Sequence, residues 1–107
     1  EALYRDCKPF SDRSFEPINE EDLSCLQYFI AAIEFSQNIC LSTTEASETS
    51  PGIAFARSYF GGASGARLQN KAIIQFYVNY MTLHPEEWKY DPSENVRQAI
   101  KSIAPCE

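Results

Sequence analysis

Histidine, methionine and tryptophan each occur once in these 107 residues, and glycine only four times. A single imidazole, His84, does not complete a metal cage or a nucleophile–base–orienter set. The chain is therefore expected to be no enzyme and to hold no metal or cofactor. Positive charge is also scarce, with nine Lys and Arg against fifteen Asp and Glu and a net charge of −6. Nucleic acid and anionic membrane surfaces both require a basic face, so neither is an expected partner. No apolar run approaches the roughly 20 residues of a membrane-spanning helix. Strict polar–apolar alternation and hairpin turn signals are missing, as is any internal repeat, which removes the common β architectures. The cysteines form no CxxC pair, which removes zinc ribbons and thioredoxin-like sites.

Two weaker patterns also lack their chemical context. Gly61-Gly62-Ala63-Ser64-Gly65 follows no strand and lacks the Lys-Ser/Thr ending of a phosphate loop, so it reads as a flexible link. Glu20-Glu21 and Glu86-Glu87 are sequence neighbours, and adjacent side chains on a helix do not face each other as a catalytic dyad would.

What the chain does have is four widely spaced cysteines, Cys7, Cys25, Cys40 and Cys106. An even count in one short domain spanning 1–107 points to a disulfide framework formed in an oxidising compartment. The start at Glu1, without Met, fits a mature form after removal of a signal peptide. Charge is uneven: ten acids face three bases (Arg5, Lys8, Arg13) in residues 1–50, whereas the remainder is close to neutral.

The spacing of apolar residues predicts a helical chain. Residues 1–7 read as a short helix that Pro9 stops, with a loop over 8–18. Asn19 reads as an N-cap, followed by Glu20, Glu21 and Asp22, where negative charge suits the helix dipole. Leu23, Leu26, Ile30 and Ile33 then recur at helical spacing beside Phe29, with Cys25, Tyr28, Ala32 and Phe35 as a second row. This helix is expected to end near Asn38. Ser50-Pro51 resembles a cap followed by proline at the first helical position, opening a short helix over 51–60.

A second long helix covers about 66–83 and stops at His84-Pro85, since a residue before proline is pushed out of the helical region. There Ile73, Phe76, Tyr77 and Tyr80 share one side, extended by Ile74, Val78 and Met81. Asp91-Pro92-Ser93-Glu94 has the form of a capping box, and Val96, Ala99, Ile100 and Ile103 follow at i, i+3, i+4 and i+7. Glu94, Arg97, Gln98 and Lys101 take the outer face. The expected fold class is all-α, a small disulfide-stapled bundle of four to five helices.

Helix geometry limits how the cysteines pair. Cys25 and Cys40 on one continuous helix lie about 22 Å apart, beyond the roughly 7 Å a disulfide spans. That leaves Cys7–Cys25 with Cys40–Cys106, or Cys7–Cys40 with Cys25–Cys106. The first is preferred because it pins the N-terminal helix antiparallel to the start of its neighbour and the C-terminus to that neighbour's far end.

Cys25 followed by Tyr28, then Cys40, Tyr80, His84-Pro85-Glu86-Glu87, Val96, Ala99-Ile100 and Ala104-Pro105-Cys106 resembles the Rap/Tai family over about residues 20–106. These are periplasmic immunity proteins that neutralise peptidoglycan amidase effectors of type VI secretion. The His-Pro-Glu turn and the amphipathic helix ending in Pro-Cys carry most of the likeness. The resemblance implies a periplasmic inhibitor whose partner is a secreted cell-wall amidase, with a homodimer also compatible. Cys40 is followed by an unusually long connection for that family, an insertion over about 41–66 that would reshape a partner surface.

Two partner surfaces are candidates. One is the turn Glu86, Glu87, Trp88, Lys89 and Tyr90, where Trp88 either anchors a partner or folds back over the bundle end. The other is the long connection with Arg57, Tyr59, Phe60 and Arg67. Competing readings are an HdeA-type acid-stress chaperone, which would expose apolar surface as its carboxylates protonate, and an envelope-associated helical module with no toxin partner.

Overall fold

A computed structural model describes residues 2–45, 51–62 and 69–106; the side chains of residues 43–45, 57 and 58 are outside that description. The described residues form five α-helices: α1 (Ala2–Asp12), α2 (Glu20–Glu45), α3 (Pro51–Tyr59), α4 (Asn70–Leu83) and α5 (Ser93–Ile103). A 3-10 turn, Pro85–Glu87, joins the last two. The fold is all-α, as the spacing predicts. At 1.5 Å per residue α2 is about 39 Å long, and it packs against each of the other four helices. α4 also contacts α1 and α5.

Both disulfides grip α2. Cys7–Cys25 joins α1 to its first third, with Cα atoms 5.2 Å apart. Cys40–Cys106 joins its last third to the tail after α5, with Cα atoms 5.5 Å apart. This is the preferred pairing. Closing loops of 18 and 66 residues contributes about 3 and about 4 kcal/mol by chain entropy, figures that strain reduces. Two disulfides belong to an oxidising, extracytoplasmic environment. No helix among the described residues is long and apolar enough to cross a membrane.

The expectation that Pro9 ends α1 is wrong. The helix runs through it to Asp12. Pro9 faces solvent beside buried Cys7 and Phe10, so water can solvate the carbonyl left without a donor, while the core face holds the helix together. A Lys8–Asp12 ion pair of 2.7 Å spans the proline. Beyond Asp12 the chain turns out of the helix through Ser14 and Phe15, both at positive φ (57° and 63°). The Phe15 N–H closes that end by donating to the Phe10 carbonyl at 2.9 Å. Left-handed backbone is costly for a bulky residue. Here the Phe15 ring packs edge-on against Phe10, 5.4 Å between centroids, and offsets that cost.

Asn19 caps α2 as expected, its Oδ1 accepting the Asp22 N–H at 2.8 Å. The helix does not end near Asn38; it continues to Glu45. Its core line also differs from the expected row. Cys25, Phe29, Ile33 and Cys40 are buried, while Leu23 and Phe35 are exposed. Apolar residues encircle α2, so periodicity alone does not select a face; the cysteine positions do. α4 buries Ile73, Ile74, Tyr77, Val78 and Met81. α5 buries Val96, Ala99 and Ile100, as read. Half of its capping box forms: Asp91 Oδ1 accepts the Ser93 N–H at 2.8 Å, whereas Glu94 turns away towards Arg97.

The glycines after α3 are not a flexible link over residues 61–62. Both are buried. The Gly62 N–H donates to the Ala104 carbonyl at 2.6 Å, and Gly61 bridges to Pro105. A Cβ on Gly61 would lie 2.6 Å from the Lys101 nitrogen, and one on Gly62 would lie 2.7 Å from the Gln37 nitrogen. With φ of +113° at Gly62, only glycine lets this strap wedge between α2 and α5. Ser50, the expected cap of α3, and residues 63–68 lie outside the described residues.

One partly buried ion pair links the α1–α2 connection to the bundle. Asp22, 1% exposed, accepts hydrogen bonds from the Arg13 guanidinium and, at 2.9 Å, from the Ile18 N–H. Burial pushes its carboxyl up, but these donors outweigh burial and hold it below the usual carboxylate range. A depressed folded-state value means stability that is present above the unfolded value, near 3.8, and lost as pH falls through the folded one. Asp22→Asn is therefore expected to lower stability at pH 7, with the gap to wild type closing below about pH 4. Urea unfolding at pH 7 and pH 3 checks this; a gap of equal size at both would contradict it.

Candidate functional site

The first turns of α5 stand between two grooves, and Glu94 lines both. The first lies among α2, α3 and α5 and holds about 300 Å³. Tyr28 and Phe35 project from α2, Tyr59 and Phe60 from the end of α3, and Glu94 and Arg97 from α5. The rings interlock: Phe35 meets Phe60 edge-on at 6.2 Å, Phe60 meets Tyr59 at 5.0 Å, and Tyr59 stacks on Phe55 at 5.3 Å. Phe35 and Phe55 remain 60% and 63% exposed, so this wall presents aromatic surface to solvent. Aromatic rings in such positions are the usual anchors of protein interfaces.

Arg97 ties the groove together. Its guanidinium lies 3.7 Å from the centre of the Tyr59 ring, donates to the Tyr59 carbonyl, and pairs with both oxygens of Glu94. The Tyr59 hydroxyl adds a bond to Glu94 at 3.3 Å. The Arg97 hydrogen bond holds the Glu94 carboxyl below its usual range, so this rim stays ionised at neutral pH. Stacked, bidentate contact of this kind suits arginine and not lysine.

The second groove lies between α4 and α5 and is lined by Phe76 and Tyr80 on one side and Glu94, Asn95 and Gln98 on the other. Glu87, from the 3-10 turn, stands at its edge. Tyr80 is held by His84, which stacks on it at 4.2 Å.

The structure sorts the residues named from sequence. Tyr59 and Phe60 come together in the first groove, and Glu87 edges the second. Glu86 is exposed and bonds His84 Nδ1 at 3.0 Å. Trp88 folds back over the bundle end: its Nε1 donates to the Met81 carbonyl at 2.6 Å and its ring stacks on Tyr4 at 5.0 Å. Lys89 sits over the Tyr90 ring at 5.2 Å, and Tyr90 is exposed. Arg57 belongs to α3, but its side chain lies outside the described residues, as does all of Arg67. Among the described residues no three His, Cys, Asp or Glu side chains gather around a common point for a metal ion.

Sequence reasoning missed Tyr28 and Tyr80, taken for core, and Glu94 and Arg97, taken for an outer face. The one available signal was the i, i+3 spacing of Glu94 and Arg97 on α5, which marks a pair but not what it faces.

Arg97→Ala is expected to release α3 from α5. Losing a charge-assisted hydrogen bond in a partly buried setting costs about 2 kcal/mol, which speeds amide exchange near Phe60 roughly thirtyfold. Arg97→Lys should not restore protection. Exchange in residues 55–60 that matches wild type in the alanine variant would contradict this role.

Comparison of the chain with protein-family models, with curated proteins and with solved structures finds no match in any of the three.

Proposed function

We propose that this chain is a periplasmic immunity protein that binds and inhibits a peptidoglycan amidase effector of type VI secretion. The observation that carries the reading is the aromatic groove of Tyr28, Phe35, Tyr59 and Phe60 beside the Arg97–Glu94 pair, built on helices that the two disulfides hold. The resemblance to the Rap/Tai family, through Cys25, Cys40, His84-Pro85-Glu86 and Pro105-Cys106, supports a cell-wall amidase as the class of target.

Inhibition of this kind requires no chemistry from the inhibitor. A rigid body seated across the amidase cleft excludes the peptidoglycan stem, and the protein's own rings supply the contact. Cross-linking lowers the cost of association, because a surface already ordered loses little freedom on binding. Acidic rim residues speed encounter with a basic cleft edge and contribute less to the final affinity.

The disulfide-intact chain, added to a panel of type VI amidase effectors, is expected to stop peptidoglycan hydrolysis by one of them at equimolar ratio. Phe35→Ala and Tyr59→Ala should each weaken that complex about tenfold or more, as anchor residues do. The reading fails if no amidase in the panel is bound or inhibited.

A further inference from the structure

The groove between α4 and α5 differs chemically from its neighbour. It holds about 410 Å³, ample for one long side chain. Its lining residues include two carboxylates, Glu87 and Glu94, and no Lys or Arg. Glu94 is shared with Arg97, whereas Glu87 makes no ion pair or side-chain hydrogen bond among the described residues. The walls are the half-buried rings of Phe76 and Tyr80.

A second feature is independent of the carboxylates. Asn95 lines the same groove and is only 9% exposed. Its amide makes no hydrogen bond to any described residue and is not sealed from water, so its nitrogen and oxygen reach solvent along the groove that it lines. A mostly buried residue whose amide is left to water offers a fixed donor and acceptor to a ligand. An isolated acidic edge would be a solvated surface; the Asn95 amide in the same lining adds a donor and an acceptor beside the rings.

We propose that this groove receives an arginine side chain of the partner protein. A guanidinium is planar, so it lies flat against Tyr80 and Phe76. Its N–H groups point outward in the plane, towards the Glu87 carboxylate on one side and the Asn95 carbonyl oxygen on the other. Its charge is met by the Glu87 carboxylate, since Glu94 is already paired with Arg97, and no Lys or Arg lines the groove. A lysine ammonium carries the charge but not the plane. The neutral urea group of citrulline has the plane but not the charge. The overall net charge of −6 draws a basic segment towards this chain before contact.

The inference rests on the reading of this face as a partner surface, but its test requires no amidase. The ¹⁵N-labelled, disulfide-intact chain is titrated with Nα-acetyl-arginine methylamide and, separately, with the citrulline and lysine analogues blocked in the same way. The arginine probe is expected to give saturable shifts at Glu87, Asn95 and Gln98, including the Asn95 side-chain NH₂, with a Kd in the millimolar range. Citrulline should give none, and lysine should bind more weakly. Glu87→Gln should weaken arginine binding about two- to fivefold, the range of an exposed ion pair. Glu86→Gln, next door in sequence but outside the groove, should change nothing.

Absence of saturable shifts, citrulline or lysine binding as well as arginine, or an unaltered Kd in Glu87→Gln would each overturn the proposal. Arginine binding with no amidase inhibited would sink the immunity reading alone. Inhibition of an amidase with no arginine shifts would sink this inference alone.

Discussion

The architecture depends on one long helix held covalently near both ends. Cys25 and Cys40, about 22 Å apart along α2, fasten α1 to one end and the C-terminal tail to the other. Helices of 9 to 14 residues, such as α1, α3, α4 and α5, are marginal in isolation and take their stability from packing. A chain of 107 residues offers a modest core on which to pack them. The bridges reduce the freedom of the unfolded chain, so that a limited core suffices.

The second bridge also sets the surface. Once Cys106 is held at Cys40, the residues before it run beside α2, and the Ala104 carbonyl and Pro105 meet Gly62 and Gly61. That meeting fixes the end of α3, and with it Tyr59 and Phe60. Arg97 completes the link by reaching from α5 to the Tyr59 carbonyl and ring. The aromatic groove is thus a consequence of where the disulfide puts the tail, and its residues come from three helices that are distant in sequence.

How much of this was legible beforehand follows from which signals are local. α5 reads correctly at Val96, Ala99 and Ile100 because its apolar residues occupy one stripe and Asp91 caps its start. Helix rise, a fixed length, excludes Cys25–Cys40, and of the two pairings left the one that sets α1 antiparallel to the start of α2 is the one observed. The end of α1 does not, since the cost of Pro9 is outweighed by contacts of Cys7 and Phe10 made with other elements. The buried face of α2 does not either, because apolar residues surround it. The site divides in the same way. Glu87, Tyr59 and Phe60 stood out as polar or aromatic residues in connections. Tyr28, Phe35, Glu94 and Arg97 sit on regular helices, and only the placement of neighbouring helices decides that they face a groove.

The central claim is that Cys40–Cys106 builds the partner surface by holding the C-terminal tail and the α3 strap against α2. Replacing both cysteines with alanine, and measuring unfolding free energy with site-resolved amide exchange, tests it most directly. The account predicts a loss approaching about 4 kcal/mol, with exchange accelerating most over residues 53–62 and 100–105 while the Cys7–Cys25 end around Phe10 and Phe29 stays protected. A loss under about 1 kcal/mol, with residues 53–62 as protected as in the bridged protein, would contradict it.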